Sequence, residues 1–278
     1  MYGKLYLVAT PIGNLADITL RALETLKRVD LVACENPRET LKLLTHHGIK
    51  GKKLKRYHAP NEPEAAQMLL NSLKKGKSVA LVSDRGTPGF SDPGFHLIQT
   101  CLEVGVEIEV IPGPSALLSA VLLAGFPPQP FRFLGFLPRK GRSRRSLMEE
   151  LRNEKATTVI YESPHRLVSL LTDLKEVLGE KREGALVREI TKVYQEVIRG
   201  NLAFLREVAE RRKLKGEIIL VLGGSSGEEN ADEKKAWEVL KYLLMKEVSP
   251  SEAARVVAGW FSLPKKRVYH WAQELKNQ

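Results

Sequence analysis

Val79-Ala80-Leu81-Val82-Ser83-Asp84-Arg85-Gly86-Thr87-Pro88-Gly89-Phe90-Ser91-Asp92-Pro93-Gly94 is the stretch on which the reading of this chain turns. Ser78 to Val82 closes on an unbroken apolar run of strand length, the pattern of a strand covered on both faces. A loop comes next. Gly86, Gly89 and Gly94 allow backbone to approach a ligand closely, and the small hydroxyl residues offer hydrogen bonds. In open α/β sheets the loops at strand C-termini form the ligand crevice. The same density of Gly and Pro also suits a structural Ω-loop.

Working outward, strands and helices alternate. Upstream, Lys4–Ala9 reads as a buried strand and Thr10–Asn14 as a loop. Ile18–Lys27 reads as a helix with Leu20, Leu23 and Leu26 in phase, Leu31–Cys34 as a strand ending at Glu35-Asn36-Pro37-Arg38, and Pro63–Lys75 as a helix. Downstream, Phe95–Val104 is a helix and Glu107–Ile111 a strand. The alternation predicts βαβ units and a mainly parallel sheet. Pro112-Gly113-Pro114 breaks the chain and marks a domain boundary, with a second crevice loop running on into Ser115-Ala116. The alternation then resumes: helices over Ser115–Leu123, Ser146–Arg152 and Pro164–Leu178, and strands over Arg132–Phe136, Thr157–Tyr161, Ala185–Glu189 and Glu217–Gly223. Gly223–Gly227 is a flexible joint. Beyond it, Asp232–Lys246 has helical spacing. Ser249-Pro250-Ser251-Glu252 opens a helix to about Phe261, and Pro264-Lys265-Lys266-Arg267 opens another. The expected domains are therefore 1–112, 113–225 and a helical appendage, 226–278, readable as helix-turn-helix-like or as a plain helical cap.

Composition narrows the function. The 278 residues carry 44 Lys+Arg against 33 Asp+Glu, a formal charge of +11. Hydrophobic residues at 43% and charged residues at 28% exclude wholesale disorder. The excess positive charge points to a polyanion, and nucleic acid is favoured because no basic amphipathic helix with an aromatic face suggests a membrane. Ala116–Ala124, the longest apolar stretch, is about half a membrane span. Cys34 and Cys101 form no Cys-x-x-Cys, so a reducing cytoplasm is the simple expectation. No Gly-x-Gly-x-x-Gly is present. Gly76-Lys77-Ser78 has Asn71 where a phosphate loop needs Gly, and Gly113–Leu117 ends in Leu where a nucleophile elbow needs Gly. The adjacent His46 and His47 lack a partner at metal-ligand spacing, so no metal site is expected.

Five segments in order, LYLVATPIGNLADITLRALETLKRVDLVACENPRET from Leu5, VALVSDRGTPGFSDPG from Val79, IPGPSA from Ile111, IYESPHRL from Ile160 and REITK from Arg188, resemble the ribosomal small-subunit RNA methyltransferase I family. Its members methylate a cytidine 2′-oxygen and share the tetrapyrrole methylase superfold. The resemblance runs from Leu5 to about Gly223. It implies two α/β domains of that type, S-adenosylmethionine folded into the cleft between them, a homodimer, and small-subunit (16S) ribosomal RNA or the assembled subunit as partner. Carried over by motif, the cofactor would meet Pro11, Ser83, Asp84, Gly86, Ser115, Ala116, Tyr161 and Leu186. The chain departs from the family at Asn36-Pro37, where Asp-Thr is more usual, and at Arg85, where a small residue is usual.

The implied chemistry sets demands. A ribose hydroxyl is a poor nucleophile, so a base or a desolvating pocket should assist. In REITK, Lys192 is the candidate proton acceptor, made neutral by burial and a nearby cation, with Glu189 positioning it or the ribose. An ordinary Glu–Lys surface pair is the alternative. For RNA, Arg139, Lys140, Arg142, Arg144 and Arg145 crowd one loop between Phe136 and Ser146, and Arg38, Arg85 and Arg166 are further candidate contacts. Two other readings stay open: the same fold acting on a tetrapyrrole or modified amino acid, and a non-catalytic ribosome-assembly factor.

Overall fold

Short strands alternate with helices in the first half of the chain: β1 (Leu5–Val8), α1 (Leu20–Arg28), β2 (Leu31–Cys34), α2 (Pro37–His46), β3 (Lys53–Arg56), α3 (Glu62–Lys74), β4 (Val79–Val82), α4 (Phe95–Glu103) and β5 (Ile108–Ile111). The second half continues with α5 (Ala116–Ala124), β6 (Phe131–Phe136), α6 (Arg142–Glu150), β7 (Thr157–Glu162), α7 (Pro164–Leu178), β8 (Glu183–Arg188), β9 (Glu196–Asn201), α8 (Leu202–Arg212) and β10 (Ile218–Leu222). Three helices close the sequence: α9 (Ala231–Met245), α10 (Pro250–Trp260) and α11 (Lys265–Lys276). This computed structural model describes residues 2–225, 231–261 and 263–276.

The first sheet has the order β3-β2-β4-β1-β5 and is parallel throughout. Every residue of β1, β2 and β4 is buried, because helices cover both faces. Leu69, Leu70 and Leu73 of α3 with Leu97 of α4 fill one side, and Ala22 and Leu26 of α1 with Leu44 of α2 fill the other. The order reverses between β1 and β4, so the loops that leave these two strands diverge around an open crevice.

The second sheet, β6-β7-β10-β8-β9, corrects the expectation of a mainly parallel arrangement: only β6 and β7 are parallel, and β10 and β9 run antiparallel to their neighbours. The physical reason is the short link from β8 to β9, Glu189–Gln195, which cannot carry a helical crossover. Helices α7 and α8 cover one face with Leu167, Leu170, Leu171, Leu174, Leu202 and Leu205, while α5 covers the other. The chain passes from one sheet to the other once, at Pro112–Pro114. Both sheets nevertheless belong to one compact unit, 1–224, so residue 112 ends a sheet inside that unit.

The second unit, 225–278, has its own core of Ala236, Leu240, Ala253, Ala254, Val257, Val268 and Ala272, with Trp237 and Trp271 edge to face at 5.6 Å. Ser249 caps α10 by accepting from Glu252 N–H, with Pro250 in the first turn. Of the Gly223–Gly227 joint, residues 226 and 227 lie outside the described residues.

Candidate active site

The ends of strands from both sheets meet around one cleft. At the switch point, Thr10 and Gly86 exchange backbone hydrogen bonds, Thr10 N to Gly86 O at 2.9 Å and Gly86 N to Thr10 O at 3.0 Å. Gly86 has φ of +79°, a conformation strained for any side chain with a Cβ. The Ser83 hydroxyl donates to Gly86 O at 3.0 Å, and the Thr10 hydroxyl to Ser83 O at 3.1 Å. Asp84 accepts from Asn36 N–H at 3.1 Å and so ties this loop to the start of α2. Ser83 and Asp84 therefore shape the loop, while Gly86 itself faces the cavity.

Phe90, at the far end of that loop, stacks on Phe133 of β6 with centroids 5.3 Å apart. Phe133 meets Tyr161 of β7 edge-on at 4.9 Å, and Phe136 meets the same tyrosine at 5.8 Å. This aromatic wall joins the two sheets. A second joint lies opposite. Ile12, only 4% exposed, enters the apolar layer formed by Leu117, Val187 and Ile190. A Cβ on Gly13 would sit 2.7 Å from Ile190 O, Lys192 Cγ and Thr191 Oγ1. The neighbouring Asn14 N–H donates to the Thr191 hydroxyl at 3.0 Å. Glu189 and Thr191 both hold positive φ, 50° and 64°, an uncommon state for residues with side chains.

Between these joints is a cavity of about 670 Å³. It is walled by the Gly86–Asp92 loop, by Pro112, Gly113 and the first turn of α5, by Phe136 and Tyr161, and by Gly216–Ile219. The volume falls within the roughly 300–1,000 Å³ range of small-molecule sites. Ser115 caps α5 by accepting from Leu118 N–H, so this helix start is built from the crossing itself.

Charge at the cleft is uneven. Lys192 Nζ stands 2.9 Å from Glu189 Oε1 and 3.2 Å from Glu217 Oε2, and Arg85 pairs with the other oxygen of Glu217. Glu189 Oε1 also accepts from Glu217 N–H at 2.9 Å. Glu162 is buried, accepts from Ser163 N–H at 2.8 Å and meets Arg166 Nε at 3.3 Å. Asp92 differs: burial, followed by the negative charges of Glu35 and Asp84, pushes its carboxyl up to about 6, against the pull of the Ser83 hydroxyl. Burial raises Glu35 and Asp84 too. Burial and then the charge of Asp92 push Tyr161 up to about 12.

Of the residues expected to hold a cofactor, Gly86, Ser115, Ala116 and Tyr161 line the cavity. Pro11 is buried beside it, with Ile12 taking the wall position. The Leu186 side chain lies in the core against α7 and α8, on the opposite face of β8, because strand residues alternate sides and Ala185 and Val187 take the cleft face. Lys192 and Glu189 are together, as a carboxylate-flanked pair. The proton-accepting role pictured for Lys192 needed desolvation beside a cation, and its immediate neighbours are two carboxylates. The basic loop is partly a helix: α6 begins at Arg142. Arg144 is buried, bonded to Asp173 at 2.7 Å and to Pro138 O at 3.1 Å, and Arg166 reaches Leu137 O at 2.8 Å. These two cations are engaged within the fold. Arg38, Arg139, Lys140, Arg142 and Arg145 are exposed, and Arg85 is half-exposed. Asp92, Phe90, Phe136 and Glu217 are among the cavity residues that motif reading does not single out. Asp92 and Phe90 lie inside the quoted loop, but their roles depend on what stands opposite them. Among the described residues, no His, Cys, Asp or Glu cluster is arranged to hold a metal ion.

Two α/β sheets sharing one apolar-walled cleft at their strand ends define the class of protein, that of the tetrapyrrole (corrin/porphyrin) methylases, whose family description matches residues 4–205. The RsmI C-terminal HTH domain family matches residues 231–276. The ribosomal RNA small subunit methyltransferase I of Synechocystis is 42% identical over 276 residues, 99% of each chain. That of Escherichia coli O157:H7 is 43% identical over 98% of this chain and 95% of its own. The chain belongs to the ribosomal RNA small subunit methyltransferase I family. Among solved structures, diphthine synthase shares the fold with a TM-score of 0.65 at 16% identity, covering 80% of this chain and 90% of its own. The Thermus thermophilus uroporphyrin-III C-methyltransferase complexed with S-adenyl homocysteine has a TM-score of 0.58 at 22% identity, covering 80% and 97%.

Proposed function

We propose that this chain is an S-adenosylmethionine-dependent methyltransferase that places a methyl group on the ribose 2′-oxygen of a cytidine in small-subunit (16S) ribosomal RNA. The observation that carries the reading is the cleft: a cavity of about 670 Å³ at a topological switch point, built from the segments the family shares. The cavity suits a nucleoside with an amino-acid tail. Its walls are mainly apolar and aromatic for the adenosine. Gly86 and Gly113 bring bare backbone to it, and a Cβ on Gly113 would crowd the Ala9 Cβ at 2.9 Å. Ser115, Ala116 and Tyr161 would hold the nucleoside, with Gly86 and the loop that Ser83, Asp84 and Pro11 shape holding the polar tail.

When bound, the cofactor supplies an activated methyl group on a sulfonium, so the protein's task is alignment and water exclusion. The paired loops at Gly13–Thr191 and Phe90–Phe133 fix the two walls against each other, which limits the cleft to a set width. Glu189 and Glu217 hold Lys192 as a fixed hydrogen-bond donor for the incoming ribose or its phosphate. Arg85 at the rim, with Arg38, Arg139, Lys140, Arg142 and Arg145, would meet the RNA backbone. The +11 charge favours a polyanionic substrate over a tetrapyrrole.

The protein is further proposed to act in the cytoplasm as a homodimer. No helix among the described residues is long and apolar enough to cross a membrane, and Cys34 and Cys101 are buried free thiols. Leu122 stands 73% exposed on α5, an apolar surface that a second copy would cover. The deciding experiment incubates the protein with methyl-labelled S-adenosylmethionine and either small ribosomal subunits or free 16S RNA, then digests to nucleosides. Labelled 2′-O-methylcytidine is expected, and label in no ribonucleoside would overturn the reading.

A further inference from the structure

Three carboxylates line the cleft: Asp92, Glu162 and Glu217. Two of them are engaged by cations. Glu217 is held between Lys192 and Arg85, and Glu162 is buried against Arg166 and the Ser163 backbone. Asp92 makes no ion pair among the described residues. It sits at the end of the Gly-rich loop, directly after Ser91, whose φ of 66° turns the backbone at that point. It is also close enough to Tyr161 for its charge to be felt there. The Phe90–Phe133 stack anchors the loop two residues earlier, so Asp92 is placed by packing rather than left mobile.

We infer that Asp92 is the general base of the methyl transfer, accepting the 2′-hydroxyl proton of the target ribose. This rests on the proposed function and assigns the proton's destination within it. In the step, a lone pair of the 2′-oxygen forms the new C–O bond. The methyl–sulfur bond breaks, its electron pair staying on sulfur and neutralising the sulfonium. The hydroxyl proton passes to the Asp92 carboxylate and is later released to water. Charges and atoms balance with no further reactant.

The surroundings suit the task. Glu35 at the end of β2 and Asp84 after β4 face Asp92 with like charge, and the Tyr161 phenol faces it from β7. His58 acts on Glu35 with the opposite sign, and Arg85 acts on Asp84 while pairing with Glu217. The Ser83 hydroxyl pulls the other way without reversing the balance, and a carboxylate with no ion pair and raised proton affinity is a stronger base than an ordinary one and is still ionised near neutrality.

The test uses the full chain and Asp92→Asn, which keeps the shape. Single-turnover methylation of small subunits or 16S RNA is expected to fall by roughly 10²–10⁴-fold, the usual contribution of a positioned base. Binding of S-adenosylhomocysteine, measured by calorimetry, should stay within a few-fold of wild type and shows that the variant is folded. The wild-type rate should rise with pH to a plateau through about 6, a limb that the variant loses. Independently of activity, a carbon-13 carboxyl titration of the wild-type protein should show a resonance, absent in the variant, moving near pH 6. A variant that methylates at the wild-type rate, or an Asp92 carboxyl that titrates near its ordinary 3.8, overturns the assignment. A wild-type protein that methylates no small-subunit RNA overturns the proposed function instead, so the two failures are distinguishable.

Discussion

Ionising Asp92 in the folded protein costs free energy that ionising it in the unfolded chain does not, because burial and then Glu35 oppose the charge. Its folded value of about 6 lies above the ordinary 3.8, so the native state binds the proton more tightly between those limits. That contribution to stability is complete below about pH 4 and is lost as the pH rises through 6. Asp92→Asn is therefore expected to raise the melting temperature at pH 8 and to leave it unchanged near pH 3.5, as thermal scans at the two pH values would reveal. Gly13 poses the opposite problem. Gly13→Ala drives a methyl into Ile190 O and the Thr191 hydroxyl, and overpacking of this kind costs about 1–3 kcal/mol. The expected outcome is a lower denaturation midpoint together with weaker S-adenosylhomocysteine binding. Gly86, Ser115, Ala116 and Tyr161 are legible as cleft residues because motif and strand-end position both mark them. Leu186 is marked by motif, which gives a strand but not which face of it a side chain takes. The standing of Asp92 is hidden in the sequence, since lacking a cation partner is a property of neighbours distant along the chain.

Among elements, the buried strands can be read directly, because β1, β2, β4 and β10 are apolar runs covered on both faces. β3, with the sequence Lys-Leu-Lys-Arg, is not legible. It is an edge strand whose lysines face solvent, and charge of that kind protects an open edge. β9, the other outer strand of its sheet, is hidden for the same reason: Glu196 and Arg199 interrupt its apolar pattern. The helices α2 and α8 also escape a periodicity reading, α2 behind the Asn36-Pro37 turn that in fact caps it. α6 shows how a run of like charge can conceal two roles. Arg144 turns inward to Asp173 and Pro138 O, while Arg142 and Arg145 face solvent. Arg144→Ala should lower stability by about 1–3 kcal/mol, the cost of leaving buried polar partners unmet, with a reduced urea midpoint as the readout. Replacing Arg139, Lys140, Arg142 and Arg145 together should leave that midpoint in place. It should also flatten the salt dependence of RNA binding by about 0.7–0.9 in log–log slope for each phosphate no longer neutralised.

At the scale of the whole molecule, the two units have separate cores, 1–224 around two sheets and 225–278 around three helices. A chain ending at residue 225 is expected to melt cooperatively and to bind S-adenosylhomocysteine as the full chain does, because every cleft residue lies in the first unit. A scanning calorimetry trace with no transition would refute this. The α/β class and the helical tail follow from periodicity alone, whereas the mixed second sheet does not, since strand direction depends on connection lengths that only exact element ends reveal. The single passage at Pro112–Pro114 also sets an order on biosynthesis. A ribosome has released every strand of the first sheet once Ile111 clears the exit tunnel, yet the last wall of the cavity, Gly216–Ile219, is translated far later. During that interval the nascent half holds Ile12 without the apolar layer that later buries it. Stalled nascent chains just long enough for the passage to have cleared the tunnel should therefore resist protease while retaining no cofactor, and acquisition of the ligand becomes a signal that translation has passed through the second sheet.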